Sequence, residues 1–243
     1  MPNLGTQNTF LGPTQQIKTC STQVIIFHAK FTPDLFESQL FSNYDIQMPP
    51  SLNTAVDKRK SEYLAGRALV ARAVKHLNIP AQNIPSGAKR EPIWPAGVQG
   101  SITHSRGHCA CILTTATDQY VGIDIESLLN ENALRSVRRI AMHQNDETTL
   151  VSQTAFTDQH IATLLFSAKE TLYKTLFPIV QSFFGFDAAT IHETPSKHQI
   201  QLRLTRTLHP TLQEGLVFTL NHQQLDDKIL TWLVYQHHEI SGA

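Results

Sequence analysis

The stretch Phe166-Ser167-Ala168-Lys169-Glu170-Thr171-Leu172-Tyr173-Lys174 gathers one carboxylate and two ammonium groups at helical spacing. Glu170 and Lys174 are four residues apart and so neighbours on a helix surface, while Lys169 and Tyr173 share an adjoining strip. Upstream, Gly122-Ile123-Asp124-Ile125-Glu126 alternates apolar with acidic residues. A strand of that pattern has a period of two, so Asp124 and Glu126 face one way while Ile123 and Ile125 face a core. Unpaired acids brought close together repel unless a divalent cation neutralises them. An oxygen-only set suits Mg²⁺, which takes one or two carboxylates together with phosphate oxygens and water. Lysines beside such an ion point to a phosphate substrate. Taken singly, the same residues read as a solvated helix pair and a strand-end acid.

Other segments extend the pattern. Lys58-Arg59-Lys60 and Gly66-Arg67 place two arginines eight residues apart, close to one azimuth on a helix. Lys89-Arg90-Glu91-Pro92 sets two cations beside a proline-fixed turn, and Ser101-Ile102-Thr103-His104-Ser105 reads as a turn carrying a histidine and hydroxyls. In this order and spacing the five segments resemble the 4′-phosphopantetheinyl transferases. They are most similar to the enterobactin-synthetase branch of the larger, surfactin-type class, over about half the chain (residues 59–186). Surfactin-type members usually carry lysine before the motif proline, tryptophan at the start of the Lys-Glu helix and serine before the histidine. Here those positions hold Glu91, Phe166 and Thr103, and the first two also fit the enterobactin-like branch.

The resemblance implies an α+β fold of two similar halves related by a pseudo-twofold axis. Each half would be a small antiparallel sheet packed with a long helix, and the active site would lie in the cleft between them. Residues 1–117 would bind the nucleotide and phosphates of coenzyme A, and residues 118–243 would carry the metal and catalytic groups. The implied reaction moves the phosphopantetheine arm of coenzyme A onto a serine of an apo acyl, aryl or peptidyl carrier protein, releasing 3′,5′-ADP. Siderophore or other secondary-metabolite synthesis is the expected setting. Matched residue by residue, Asp124, Glu126 and Glu170 would hold Mg²⁺, with Glu170 also the base and Lys174 stabilising the pyrophosphate bridge. Arg59, Arg67, Lys89, Arg90, Glu91, Pro92, Thr103, His104 and Lys169 would contact coenzyme A, as would Asp124, Glu170 and Lys174. Two alternatives use the same residues: a Mg²⁺-dependent hydrolase acting on the diphosphate of a coenzyme A-like nucleotide, and a noncatalytic carrier-binding subunit of a synthetase.

Composition narrows the field. The chain has 243 residues, enough for one sizeable core or two small ones, and 20 basic residues balance 20 acidic ones. A formally neutral chain lacks the global basic field of a nonspecific nucleic-acid binder. No apolar run reaches the roughly 18 residues of a membrane span, and the first thirty residues lack a signal-like pattern. A cytoplasmic, monomeric enzyme is expected. Three cysteines do not make a disulfide framework. Cys109 and Cys111 lie near His104 and His108, but Cys-x-Cys departs from zinc-knuckle spacing, so 109–113 reads as a buried strand.

Periodicity places strands at 24–28, 109–114, 119–125, 199–204, 216–220 and 229–235. Helices are expected at 55–77, capped by Asn53 or Thr54, at 131–142, and from Thr157 or Asp158 to just before Pro178. The polar stretch 127–157 is expected to help shape the carrier-protein surface.

Overall fold

Nearly every residue of Val24–Lys30 and all of His108–Thr114 are buried, because these strands are covered on both faces. A computed structural model of the chain describes residues 9–19, 21–80, 83–89, 91–142, 146 and 156–236. In order, the elements are β1 (Gln15–Ile17), β2 (Val24–Lys30), α1 (Leu40–Asn43), α2 (Asp57–His76), β3 (Gln99–Ser105), β4 (His108–Thr114), β5 (Gln119–Ser127) and α3 (Glu131–Ala141). Then follow α4 (Asp158–Val180), β6 (Ala189–Glu193), β7 (Gln199–Leu204), β8 (Val217–Leu225) and β9 (Lys228–Gln236).

Two antiparallel sheets result, in the orders β1-β2-β4-β3 and β5-β9-β8-β7-β6. Helix α2 packs on the first sheet and α4 on the second, against β5 and β9. Strand alternation sorts the side chains. Cys109, Cys111 and Leu113 join the core under α2, whereas Ala110 and Ile112 meet Val121, Ile123 and Ile125 in a third core. That third core fastens the sheets to each other. The expected α+β architecture, two similar halves each of a sheet and a long helix, is what the chain adopts.

Close approach of helix to sheet depends on a glycine in each half. A Cβ at Gly66 of α2 would lie 2.9 Å from Ile102 Cγ2. At Gly122 of β5 it would lie 2.5 Å from the Thr171 carbonyl oxygen and 2.9 Å from the Thr175 nitrogen. The second obstruction is helix backbone, so α4 can lie this low on β5 only over glycine.

Several boundaries differ from expectation. Ser101–Ser105 is not a turn: it belongs to β3, paired along its whole length with β4, with the turn at Arg106 and Gly107. Its hydroxyl-rich face concealed a strand that bonds across to β5 instead of facing water. Helix α2 begins after Val56 without a side-chain cap, so neither Asn53 nor Thr54 serves. Thr157 does cap α4, accepting from the His160 N–H at 3.2 Å. That helix runs through Pro178 to Val180, since a proline in the last turn forfeits a single bond and Gln181, in the left-handed region, closes the end on the Phe177 carbonyl. Strands β1 and β6 carry no strong alternation and were not anticipated. Cys109 and Cys111 are free and buried in β4, and burial pushes the Cys109 thiol up to about 12. Arg90 and most of 143–155 lie outside the described residues.

Candidate active site

The acidic alternation of β5 does what its period requires, but both acids sit beneath a helix and not in solvent. Ile123 and Ile125 enter the core between the sheets, which turns Asp124 and Glu126 toward α4. Asp124 is 4% exposed, and both its oxygens are engaged. Oδ1 accepts from Thr103 Oγ1 at 3.0 Å and from Lys174 Nζ at 2.7 Å; Oδ2 accepts from Ser167 Oγ at 2.9 Å. Thr103 Oγ1 also accepts from the Ile125 N–H, so this β3 hydroxyl holds both side chain and backbone of the Asp124 segment. Ser167 continues into a buried hydroxyl chain through Thr231 to Thr171. Ser167 and Thr171 are two of the small residues that let α4 settle on the sheet.

Glu126 lies one strand repeat on, with Ser105 Oγ donating to its Oε2 at 3.4 Å. Burial, then the nearby charges of Asp124 and Glu170, push its carboxyl up to about 7, with Lys174 opposing. Burial likewise raises Glu170, and Lys174 pulls it back. The three acids repel one another directly, and Lys174, which bonds Asp124 and sits one turn from Glu170, opposes that repulsion. Among the described residues no three His, Cys, Asp or Glu side chains close into a ready-made metal cluster. Lys174 is the cation nearest these acids.

A cleft of about 840 Å³ opens beside this cluster. The first sheet's side contributes Lys89, Glu91, Pro92, Trp94, Ser101 and Ile102; the second side contributes Tyr120, Tyr173, Lys174, Phe177 and Gln181. Lys89 spans the two sides, donating to the Gln181 carbonyl at 2.7 Å with its ammonium 5.3 Å from the Phe177 ring centre. Glu91 turns back to accept from the Lys89 N–H.

The arginines of α2 meet different surroundings. Arg59 Nη1 donates to His104 Nε2 at 2.9 Å. Arginine only donates, so Nε2 accepts and the imidazole proton sits on Nδ1, facing Glu62 Oε2 at 3.7 Å. Burial lowers the His104 pKa, which favours this neutral ring. Arg67 is buried, lies 4.7 Å over the Tyr63 ring, and donates to Ser86 Oγ at 3.2 Å, while its Nε has no hydrogen-bond partner.

Lys169 stands apart from the cleft expected for it. Its ammonium is buried against Asp146 at 2.9 Å and the carbonyls of Ala141 and Phe186. Helical geometry accounts for this: one step from Glu170 is about 100° around the axis, so Lys169 points toward Asp146 and not toward Asp124. Glu62, Ser86, Asp146, Ser167 and Thr231 were not singled out from sequence. Glu62, one turn from Arg59, had a spacing that would have exposed it; Asp146 and Thr231 had no local signal.

Residues 49–114 match the 4′-phosphopantetheinyl transferase N-terminal domain, and residues 120–226 match the 4′-phosphopantetheinyl transferase superfamily. The chain is 31% identical to enterobactin synthase component D of Salmonella typhimurium over 201 residues, covering 81% of this chain and 82% of that protein. It is 30% identical to the 4′-phosphopantetheinyl transferase PptT of Mycobacterium tuberculosis over 166 residues, 65% and 71% of the two chains. With Npt of Nocardia iowensis, also a 4′-phosphopantetheinyl transferase, it shares 33% identity over 140 residues, 56% and 60% of the chains. The chain belongs to the 4′-phosphopantetheinyl transferase superfamily, enzymes that use coenzyme A to modify carrier proteins. Membership favours group transfer over the hydrolase and noncatalytic readings.

Proposed function

We propose that this enzyme converts an apo carrier domain of a siderophore synthetase to its holo form, using the cleft between the halves for coenzyme A. The observation that carries the reading is that Lys174, which lines the cleft, bonds Asp124 of β5 and lies one turn from Glu170 on α4. Residues 1–117 hold the nucleotide and phosphates, residues 118–243 perform the transfer, and neither half transfers alone.

Arg59, Arg67, Lys89, Arg90 and His104 meet the phosphates of coenzyme A, with Thr103, Glu91 and Pro92 shaping their approach. The buried Arg67, with an orphaned N–H, suits an incoming phosphate oxygen, since guanidinium forks match that geometry. In the reaction the serine Oγ forms a bond to the β-phosphorus, and the bond from that phosphorus to the bridging oxygen breaks. The bridging oxygen leaves with 3′,5′-ADP, and Glu170 takes the serine proton. Lys174 moves its charge from Asp124 to the oxygens of the pyrophosphate, where negative charge grows. The donor set fits a hard divalent ion: three carboxylates, of which Glu126 is raised to about 7 by burial first and then by the charges of Asp124 and Glu170. Asp124, Glu126 and Glu170 would hold Mg²⁺, which would supply charge neutralisation at the diphosphate.

No helix among the described residues is long and apolar enough to cross a membrane; we place the enzyme in the cytoplasm, as a monomer. Intact-mass spectrometry of an apo aryl or peptidyl carrier incubated with the enzyme, coenzyme A and Mg²⁺ tests the reading. A gain of one phosphopantetheine, absent with EDTA and with Glu170→Gln, is expected. No gain on any carrier despite coenzyme A binding would overturn it.

A further inference from the structure

Lys169 is next to the proposed base yet 3% exposed, which raises the question of what a buried cation does there. Its three N–H bonds go to three acceptors: Ala141 O at 2.8 Å, Asp146 Oδ2 at 2.9 Å and Phe186 O at 3.2 Å. Asp146 is fully buried, and its other oxygen accepts from Thr190 Oγ1 and the Ile191 N–H, both at 2.8 Å. One ion pair thus joins the end of α3, the middle of α4, the chain at Phe186 and strand β6. A buried pair of this kind is a weak source of stability, because desolvating two charges offsets their attraction. What it fixes is geometry: every acceptor has one direction, and the helix cannot roll without breaking several bonds.

The turn so fixed carries Glu170. Beside it lies a cavity of about 180 Å³ lined by Lys169, Glu170, Tyr173, Phe184 and Phe186. The Phe186 carbonyl held by Lys169 is part of that wall, and the Phe186 ring packs 5.4 Å from that of Phe166, one turn before Glu170. We propose that Lys169 is a positioning residue for transfer: through Asp146, Ala141 and Phe186 it sets the roll of α4 that aims Glu170 into the site, and it does not touch coenzyme A. This rests on the reading of Glu170 as the base.

The test compares wild type with Lys169→Met/Asp146→Asn and with Lys169→Arg. The double change removes both charges while the asparagine oxygen still receives Thr190 and Ile191; the arginine keeps the cation. Coenzyme A affinity is read by titration calorimetry, kcat and KM by carrier modification, and folding by thermal melting. A folded double variant with unchanged coenzyme A affinity and kcat down about 100-fold, partly recovered in Lys169→Arg, is expected. Weakened coenzyme A binding in the double variant would overturn the proposal, because Lys169 would then reach the substrate. So would wild-type kcat in the double variant, or failure of both variants to fold, since the pair would then serve the fold alone. A wild type that binds coenzyme A but modifies no carrier would remove the role of Glu170, and this proposal with it.

Discussion

The two halves repeat one arrangement, a long helix on an antiparallel sheet, yet they treat their charges in opposite ways. In the first half the two α2 arginines expected to meet phosphate lack a close anion, although Lys60 pairs with Asp57 and Lys30 with Asp226. Arg67 rests on an aromatic ring and a hydroxyl with one N–H unmet, and Arg59 spends its guanidinium on a neutral histidine with Glu62 at 3.8 Å. In the second half the charges are paired at close range, Lys174 with Asp124 at 2.7 Å and Lys169 with Asp146 at 2.9 Å. An arginine without a close counter-charge has charge left to offer a phosphate. A self-paired cluster has to be re-paired by substrate before it can act, which fits the proposed division between a half that binds and a half that reacts.

The contrast breaks most visibly at Glu170. Replacing it with glutamine keeps shape and hydrogen bonding but removes the proton acceptor, so kcat should fall about 1,000-fold with coenzyme A affinity little changed. Initial rates of carrier modification together with calorimetry measure both; an equal loss in affinity would place Glu170 on the binding side. Arg67→Ala should do the reverse, weakening coenzyme A binding about 100-fold while kcat at saturation stays near wild type. An unchanged dissociation constant would remove Arg67 from the phosphate site.

Much of this division was legible because helix and strand periods translate spacing into facing. The four-residue step from Glu170 to Lys174 and the two-residue step from Asp124 to Glu126 set both pairs correctly. What spacing does not carry is depth and long-range partnership. Asp124 and Glu126 face the predicted way but lie under α4, because Gly122 admits the helix. Lys169 is adjacent to Glu170 in sequence and on another side of the helix in space. Its partner Asp146 is 23 residues away in a polar stretch with no periodic signal. Ser101–Ser105 reads as a turn in sequence, yet the hydroxyls of Thr103 and Ser105 bond across to Asp124 and Glu126 of β5.

Gly122→Ala sharpens the same point at smaller cost. In the first half the glycine is on the helix and the obstacle is the Cγ2 methyl of Ile102, a side-chain atom, whereas in the second it is on the strand and the obstacle is helix backbone. Gly122→Ala should therefore destabilise by about 1–3 kcal/mol and slow transfer by displacing Lys174 from Asp124. Gly66→Ala, which meets a side-chain methyl and no backbone, should cost less in melting temperature. Equal losses would mean that the two helix–sheet contacts are equivalent after all.

The smallest expected effect is a pH dependence that belongs to the first half. His28 and His108 are both buried, with Nε2 and Nδ1 3.0 Å apart. Burial first, then His108 and Lys30, hold His28 down to about 4 from 6.5, with Asp226 opposing. A histidine whose folded pKa lies below its unfolded value binds its proton first in the unfolded chain. Its neutral form therefore costs nothing above pH 6.5, and stability is lost progressively as pH falls from 6.5 toward 4. At pH 5 the loss from His28 alone is about 2 kcal/mol relative to pH 7. Urea unfolding at the two pH values measures it, and the lowered pKa of His108 adds in the same direction. A flat profile between pH 7 and 5 would mean that the pair opens to water and protonates in place. The strand pairing of His28 with Ala110 and of Lys30 with His108 would then have to loosen without loss of the fold.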